Sequence, residues 1–323
     1  MPATSTSAGA TTVLVVAYRH ADFVVECLDS IRTQSAPPER VIVADDCSGD
    51  STPDVIADYL AQHPGFGELH RNETNLGLNR TLNLHLATVR TPFFTYISAD
   101  DLMAPQRIER HLALLREAPD AILAYSDAEV IDRDSRRVAE SSKDEFPWPD
   151  SPSVRERPFA ELIHRNWIPA ASLFFRTPEL QAAGGYREDL FYEDFELLVR
   201  LSKAHTFAWT DEKLVAVRRL ETSLGATGFA ATSPRFLTAL DAALQHYSDA
   251  EPELRALALS RRWELAKRAS RSPMDARTSG RMLWSARGGA SSRPALARHL
   301  LAWAAGSAKR RVRRPRTSTP GTP

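Results

Sequence analysis

Three pairs of adjacent acids carry most of the chemistry this sequence offers. Asp45-Asp46 follows the apolar run Val41-Ile42-Val43-Ala44, Asp100-Asp101 follows Phe93–Ile97 and Ser98-Ala99, and Glu193-Asp194 opens a leucine-bearing segment. Consecutive side chains at a strand end point to opposite sides, so one carboxylate of Asp45-Asp46 can face a crevice while the other holds the loop. An aspartate facing the crevice accepts hydrogen bonds from a nucleobase imide or a ribose hydroxyl. The same two acids, followed by Ser48 and Gly49, also suit an Asx-type turn that simply ends the strand. Ser98-Ala99-Asp100-Asp101 presents oxygens to a hard cation, and magnesium typically takes one or two carboxylates together with phosphate oxygens and water. The bland reading has Asp101 capping a turn and Asp100 in solvent. Glu193-Asp194 stands where exposed helix amides favour a carboxylate. Asp194 therefore either caps that helix or, facing the same crevice as Asp100, takes a proton from a hydroxyl nucleophile. A literal Asp-x-Asp, Asp132-Arg133-Asp134, lies in a polar turn and reads as a solvated hairpin tip.

Regular elements must position these acids. Val13–Val16, Val41–Ala44, a short stretch over 68–71, Phe93–Ile97 and Ala121–Ile131 read as strands. Helical spacing falls between them: 21–33 with Val24, Leu28 and Ile31; a helix capped at Ser51 or Thr52 with Pro53 in its first turn; one through about Val89; and 105–117. Strand and helix alternating through short connections imply a parallel sheet covered on both faces, with ligands beyond the carboxyl ends of the strands. The pattern then loosens. Residues 132–157 form a charged surface excursion, 158–165 a helix, 169–176 a strand, Gly184-Gly185-Tyr186 a turn, 194–203 a helix and 207–218 a strand. From about Ser233 the chain reads as helical. No internal repeat is present.

Composition excludes several classes. The 323 residues are 43% apolar and 25% charged, ordinary globular usage. Two cysteines, Cys27 and Cys47, cannot build a disulfide framework or a four-cysteine zinc site. There is no Gly-x-Gly-x-x-Gly, Walker loop or His-Glu-x-x-His. No apolar run reaches the roughly 18–20 residues of a membrane span, and the first ten residues lack a signal-peptide layout, so a cytoplasmic chain is expected. The net charge of zero divides unevenly. Residues 251–323 carry 17 Lys and Arg against 4 Asp and Glu, whereas the first 250 carry 24 against 37. Within 294–305, Leu296, Leu300 and Trp303 fall on one helical face, followed by a basic cluster from Lys309. That suits either an interfacial helix on an anionic leaflet or a helix packed on the body with an irregular basic end. Nucleic-acid binding is not expected, because the basic segment has no interleaved aromatics.

In order along the chain, these segments resemble the inverting nucleotide-sugar glycosyltransferases of family 2, with the GT-A fold, over roughly residues 11–225. Val13 to His20 resembles the family's strand followed by Thr-Tyr-Asn, and Val41 to Ser48 its Val-Val-Asp-Asp-x-Ser. Asn72 to Asn83 is similar to its Asn-x-Gly-Leu segment, and Phe94 to Asp101 to the strand leading into Asp-x-Asp-Asp. Gly184-Gly185-Tyr186 with Glu193-Asp194 is similar to its Gly-Gly-Phe…Glu-Asp box. The resemblance implies a mostly parallel, Rossmann-like α/β sheet flanked by helices. The expected organisation is an irregular N-terminus over 1–10, a GT-A domain over 11–228, a helical C-terminal extension over 229–308 and a basic, irregular tail over 309–323.

The implied activity is single-displacement transfer of a sugar from a nucleoside diphosphate, UDP- or dTDP-sugars favoured, to a hydroxyl acceptor in bacterial surface-polysaccharide or glycoconjugate synthesis. Ala17, Tyr18 and Asp46 would line the nucleobase pocket, with Asp45 supporting the loop and Arg80 near the phosphates. Ser98, Ala99 and Asp100 would complete the donor site. Asp100, with Asp101 as a second candidate, would hold Mn2+ or Mg2+, and Asp194 would be the general base. Glu193 and Arg218 are further candidates. Ser98 stands where the family often has its first Asp, and Leu220 where many members have His, which loosens the implied metal site. The alternatives are a catalytically weak nucleotide-sugar-binding protein of the same fold, or a nucleotidyltransferase, for which Tyr18–Asp22 is no glycine-rich phosphate loop. Partners implied are the nucleotide sugar, a glycan or lipid-linked acceptor, and peripheral contact with the inner face of the plasma membrane through 294–316.

Overall fold

A computed structural model of the chain describes residues 11–221 and 229–312. The expectations for 1–10 and for 313–323 lie outside the described residues. What is described falls in two compact units, one within residues 1–227 and one within 228–323.

In the first unit, β1 (Thr11–Ala17) leads to α1 (Val24–Arg32), β2 (Arg40–Asp45), α2 (Thr52–Gln62), β3 (Glu68–Arg71), α3 (Leu78–Leu86) and β4 (Phe93–Ser98). A two-residue β5 (Leu102–Met103), α4 (Arg107–Glu117), β6 (Ala121–Ile131) and β7 (Arg137–Ala139) follow. Short helices α5 (Pro152–Glu156) and α6 (Phe159–Leu162) precede β8 (Phe174–Arg176), α7 (Thr177–Ala182), α8 (Glu193–Ser202) and β9 (Thr206–Arg218). Every residue of β1 is buried, as a strand covered on both faces requires.

Among the described residues the sheet has nine strands in the order β3-β2-β1-β4-β8-β6-β9-β5, with β7 pairing to β6. β3, β2, β1 and β4 run parallel; β8 is antiparallel to both β4 and β6, and β6 and β9 are parallel again. The mostly parallel sheet expected from the alternation is present. On one face, Val13 and Val15 of β1 and Val41 and Val43 of β2 join Leu28 of α1 and Ile108 of α4 in the main apolar core.

β5, β7, α5 and α7 are absent from the sequence reading, and three elements present in it differ in extent. The amides of Phe23 and Val24 both donate to the His20 carbonyl, at 2.9 and 3.0 Å, so a turn occupies 20–23 and α1 begins later than expected. The strand expected over 169–176 shortens to β8, because Ser172 closes a tight turn on the Pro169 carbonyl through both its amide (3.0 Å) and its hydroxyl (2.8 Å). The helix expected over 158–165 is the single turn α6.

The second unit is helical: α9 (Pro234–Gln245), α10 (Pro252–Arg271), α11 (Ala276–Ser285) and α12 (Arg293–Val312). The buried Arg262 of α10 donates through Nε to Asp241 of α9 at 2.8 Å. α12 runs to Val312, past the expected end at 308. Trp303 does not lie on an open face. Its Nε1 donates to Ser279 Oγ at 3.1 Å, and its ring sits so close to Gly280 that a Cβ there would come within 2.5 Å of it. Leu301, by contrast, is exposed. Among the described residues no helix is long and apolar enough to cross a membrane.

Candidate active site

Parallel register brings the ends of β1, β2 and β4 side by side. Ala17 pairs with Asp45, and Val16 with both Ala44 and Ser98. The chain continues the pairing past the strands, with Asp46 N donating to Ala17 O and Ala99 N to Val16 O, each at 2.9 Å. Beyond β1 and β2 the backbone turns through positive φ at Arg19 (60°) and Cys47 (59°). The two loops are tied together by Arg19 N to Ser48 Oγ and His20 N to Thr52 Oγ1, both 2.9 Å. Tyr18 is 40% exposed at this edge.

The two acids after β2 divide their work. Asp46 Oδ1 accepts from Leu76 N and Asn72 Nδ2, both at 2.8 Å, and from Thr81 Oγ1 at 3.2 Å, while Oδ2 accepts from Gly77 N at 2.8 Å. Gly77, at φ +82°, supplies the backbone turn into α3 that a side-chain-bearing residue resists. Asp46 thus fastens the Asn75-Leu76-Gly77 loop and the start of α3. Asp45 accepts only from Ser48 N, at 3.1 Å through Oδ2, and its buried Oδ1 has no protein partner. The expectation gave Asp46 to the nucleobase and Asp45 to the loop. In the structure Asp46 Oδ1 takes three protein donors and its Oδ2 one, while Asp45 Oδ1 takes none.

Past β4, Asp100 and Asp101 are both buried. Asp101 Oδ1 accepts from Arg218 N at 2.8 Å, and burial, then the neighbouring Asp100 charge, push its carboxyl well above the usual range. The Arg218 guanidinium is turned wholly inward. Nε donates to Asp100 O (2.8 Å), Nη2 to Glu26 Oε2 (2.8 Å), and Nη1 to the carbonyls of Asp132 (2.8 Å) and Arg133 (3.0 Å) and to Ser135 Oγ (2.9 Å). It fixes the Asp100-Asp101 turn from behind, with all three of its nitrogens engaged by the protein. The Asp132–Asp134 turn is therefore a structural prop for this loop. His20 Nε2 lies 3.8 Å from Asp100 Oδ2, and its Nδ1 is buried without a partner.

Among the described residues no three or more His, Cys, Asp or Glu converge into a closed metal cage. Asp100 with a flanking imidazole is an open donor set. It fits a divalent cation that completes its shell with phosphate oxygens and water.

Glu193 and Asp194 open α8 and are both buried. Burial and the Asp194 charge push Glu193 up to about 8, and burial pushes Asp194 up to about 7. The restraint on Asp194 comes from backbone amides at the helix start and from Asn166, whose Nδ2 donates to Oδ2 at 3.2 Å. The phenol of Tyr96, on β4, feels Glu193 first, then Tyr186, Asp194 and Asp101, and its own ionisation is pushed well up by burial. The rings of Tyr96 and Tyr186 meet edge to face, with centroids 6.0 Å apart. Tyr96 thus stands electrostatically between the Asp194 pair and the Asp100 turn, and β4 is the element shared by the two. Asn79 and Asn83 of α3 reach across to the backbone of this segment, Asn79 Nδ2 to Leu190 O and Asn83 Nδ2 to Tyr186 O, both at 2.8 Å.

Arg80 stands apart. Its side chain is exposed and pairs with Glu188 at 3.5 Å (Nε to Oε2). Sequence reasoning assigned no role to His20, Tyr96, Tyr186 or Asn166. His20 carried a signal, a polar residue just past a strand end. Asn166 carried none, since 28 residues separate it from its partner.

Residues 12–177, just over half the chain, match the family model described as Glycosyl transferase family 2. An uncharacterised protein of Mycobacterium tuberculosis is 25% identical over 166 residues, 51% of this chain and 46% of that protein. The succinoglycan biosynthesis protein ExoO of Rhizobium meliloti is 28% identical over 135 residues, 42% of this chain and 38% of ExoO. The chain thus spans less than half the length of these curated relatives. Among solved structures, the mannosyltransferase PcManGT of Pyrobaculum calidifontis, in complex with GDP-Man and Mn2+, is similar with a TM-score of 0.58. It is 19% identical, and the match covers 93% of this chain and 80% of that one. That likeness is one of fold, the GT-A arrangement of a mostly parallel sheet flanked by helices.

Proposed function

The chain belongs to glycosyl transferase family 2, and from that premise we propose that it transfers a sugar from a nucleoside diphosphate to a hydroxyl acceptor with inversion at the anomeric carbon. The observation that carries this reading is the state of Asp194: a buried carboxyl at the start of α8, raised to about 7, within electrostatic reach of Tyr96 on β4, the strand that leads to the Asp100 turn. A base whose pKa lies near the working pH combines an available ionised form with a real drive for proton transfer.

On this reading the nucleotide lies over the ends of β1, β2 and β4. Tyr18 offers a ring face, the spare Oδ1 of Asp45 accepts from the base or ribose, and Ser98 and Ala99 lie beneath the ribose. Asp46 shapes the pocket through the loop it anchors. Arg80, exposed on α3, reaches the phosphates by exchanging Glu188 for them. Asp100, with Asp101 behind it, would hold Mn2+ or Mg2+. Such an ion supplies Lewis-acid neutralisation of the leaving group. Asp194 takes the acceptor proton as the oxygen attacks the anomeric carbon from the opposite side. One displacement needs one base. Glu193 stays protonated beside it, which spares the pocket a second buried negative charge. ExoO, named for succinoglycan biosynthesis, makes a polysaccharide or lipid-linked glycan the acceptor class to test first.

The proposal is tested by Asp194→Asn, with donors screened by thermal shift in the order UDP-, dTDP- and GDP-sugars, with and without Mn2+. The expected result is retained donor binding and turnover lowered at least about a hundredfold. Turnover within threefold of the wild type would remove Asp194 from the mechanism. Peripheral attachment to an anionic leaflet is proposed through the basic C-terminal helix and the exposed Leu301, with Trp303 engaged on α11 instead. Co-sedimentation with phosphatidylserine vesicles, wild type against a chain truncated before residue 294, tests it, and equal pelleting would exclude it.

A further inference from the structure

Two adjacent buried carboxyls pose a question of protonation. When they interact this closely, the first ionisation opposes the second, and the donors each one meets decide which keeps the proton. Glu193 meets its own backbone amide and the phenol of Tyr96. Asp194 meets the amides of Phe195 and of its own residue, and the side-chain amide of Asn166. The two side-chain partners differ in kind. A phenol O–H donates or accepts, so Tyr96 suits either form of Glu193, whereas an amide NH2 only donates and is best answered by a carboxylate.

The orientation of the Asn166 amide is settled by its other end. Oδ1 accepts from Ile168 N at 3.0 Å, which leaves Nδ2 directed at Asp194 Oδ2, 3.2 Å away. Exchanging the two atoms would set an NH2 against the Ile168 amide and a carbonyl against the carboxylate, two repulsions in place of two bonds. The phenol of Tyr192, the residue before α8, is a second partner of Asn166 and stiffens it further. The other titratable groups around the pair are the buried phenols of Tyr96 from β4 and Tyr186 from the Gly184-Gly185 turn. Neither is an acceptor-free donor of the Asn166 kind.

We infer that Asn166 is the positioning residue that makes Asp194, and not Glu193, the ionised member of the pair. The inference rests on Asp194 being the base, and adds the reason the second acid of the two takes that role. Asn166 acts through Asp194, the carboxyl it donates to.

Carboxyl-carbon NMR titration of protein labelled at Asp and Glu tests it without knowledge of the substrate, with Asp194→Asn and Glu193→Gln assigning the two signals. In the wild type Asp194 titrates below Glu193. Asn166→Ala removes the donor, and Asn166→Leu removes it while keeping the volume, so a folded variant is at hand if the smaller side chain loosens the loop. Both raise the Asp194 midpoint by about one pH unit, the size of losing one hydrogen bond to a charged group, and bring it level with or above Glu193. In the kcat profile the acid limb moves up by the same amount, with turnover at pH 7 down about fivefold and donor KM within twofold. A purely structural role lowers the melting temperature and leaves both midpoints in place, which would overturn the inference. If Asp194→Asn retains full turnover while the Asn166 variants still shift the midpoints, the base assignment fails and this one stands.

Discussion

Asp46 and Asp194 each follow another acid, and each is almost fully buried, 3% and 6% exposed, yet their surroundings are opposite. Four donors converge on the Asp46 carboxylate, two of them backbone amides of the loop it anchors. Asp194 has the amides at the start of α8 and one side-chain donor, Asn166 at 3.2 Å, in a pocket shared with Glu193 and three phenols. Burial of a charge is tolerable where hydrogen bonds replace the lost water, and it raises the pKa where they do not. The first arrangement builds a scaffold, and the second leaves a carboxyl raised toward neutral pH, as the proposed base requires.

The sharpest way to break this contrast is to remove each carboxylate in turn. Asp194→Asn is expected to cut kcat between about 10²- and 10⁴-fold, about 3–5 kcal/mol of barrier, while nucleotide affinity measured by calorimetry stays within twofold. Asp46→Ala acts on the fold instead. The amides of Leu76 and Gly77 and the Asn72 side chain lose their acceptor together, at a cost of about 3 kcal/mol in urea unfolding. Donor KM rises with it, because the loop at the edge of the nucleotide pocket is no longer held. A loss under about 1 kcal/mol would mean that water replaces the carboxylate and that Asp46 is no scaffold.

A smaller effect follows from the raised pair. In the unfolded chain both acids titrate near their ordinary values of about 4. In the folded chain Glu193 titrates at about 8 and Asp194 at about 7. Between these limits the native state binds more protons than the unfolded one, so stability is greatest below about pH 4 for this pair and is lost as the pH rises toward 8. Glu193→Gln removes the charge that would have to form. It is expected to gain about 2 kcal/mol over the wild type at pH 8.5 and nothing at pH 4.5, read from urea midpoints at the two pH values. Parallel pH curves for the two proteins would show that the pair is already solvated.

The contrast also marks how far the sequence could be read. β1, β2 and β4 were legible as apolar runs with acids at their ends, because a strand buried on both faces needs an unbroken apolar stretch. α2 was legible from Pro53 in its first turn. Which acid holds a loop and which is poised was not legible, since it depends on groups brought in by the fold. The donors to Asp46 arrive 26 to 35 residues later, and the partners of Arg218 lie up to 192 residues away. β5 is two residues long and carries no periodicity, and Trp303 has the helical spacing of a surface stripe but turns inward because Gly280 leaves room for its ring. Local pattern reports burial. It does not report which polar atoms meet once burial is achieved.

The smallest expected effect belongs to the acid pair that spacing alone would have chosen. Asp134 forms an exposed ion pair with Arg136 at 3.2 Å, and exposed pairs of this kind contribute little. Asp132 Oδ1 instead accepts from the amides of Asp134 and Arg136, both at 2.9 Å, which shapes the turn whose carbonyls receive Arg218. Asp134→Ala should therefore change stability by no more than about 0.5 kcal/mol and leave Mn2+ affinity, followed by electron paramagnetic resonance with nucleoside diphosphate present, as in the wild type. Asp100→Asn in the same titration should weaken it by tenfold or more. Equal losses from the two substitutions would place the cation at the hairpin tip and dissolve the distinction between acids that hold the structure and acids that face the substrate.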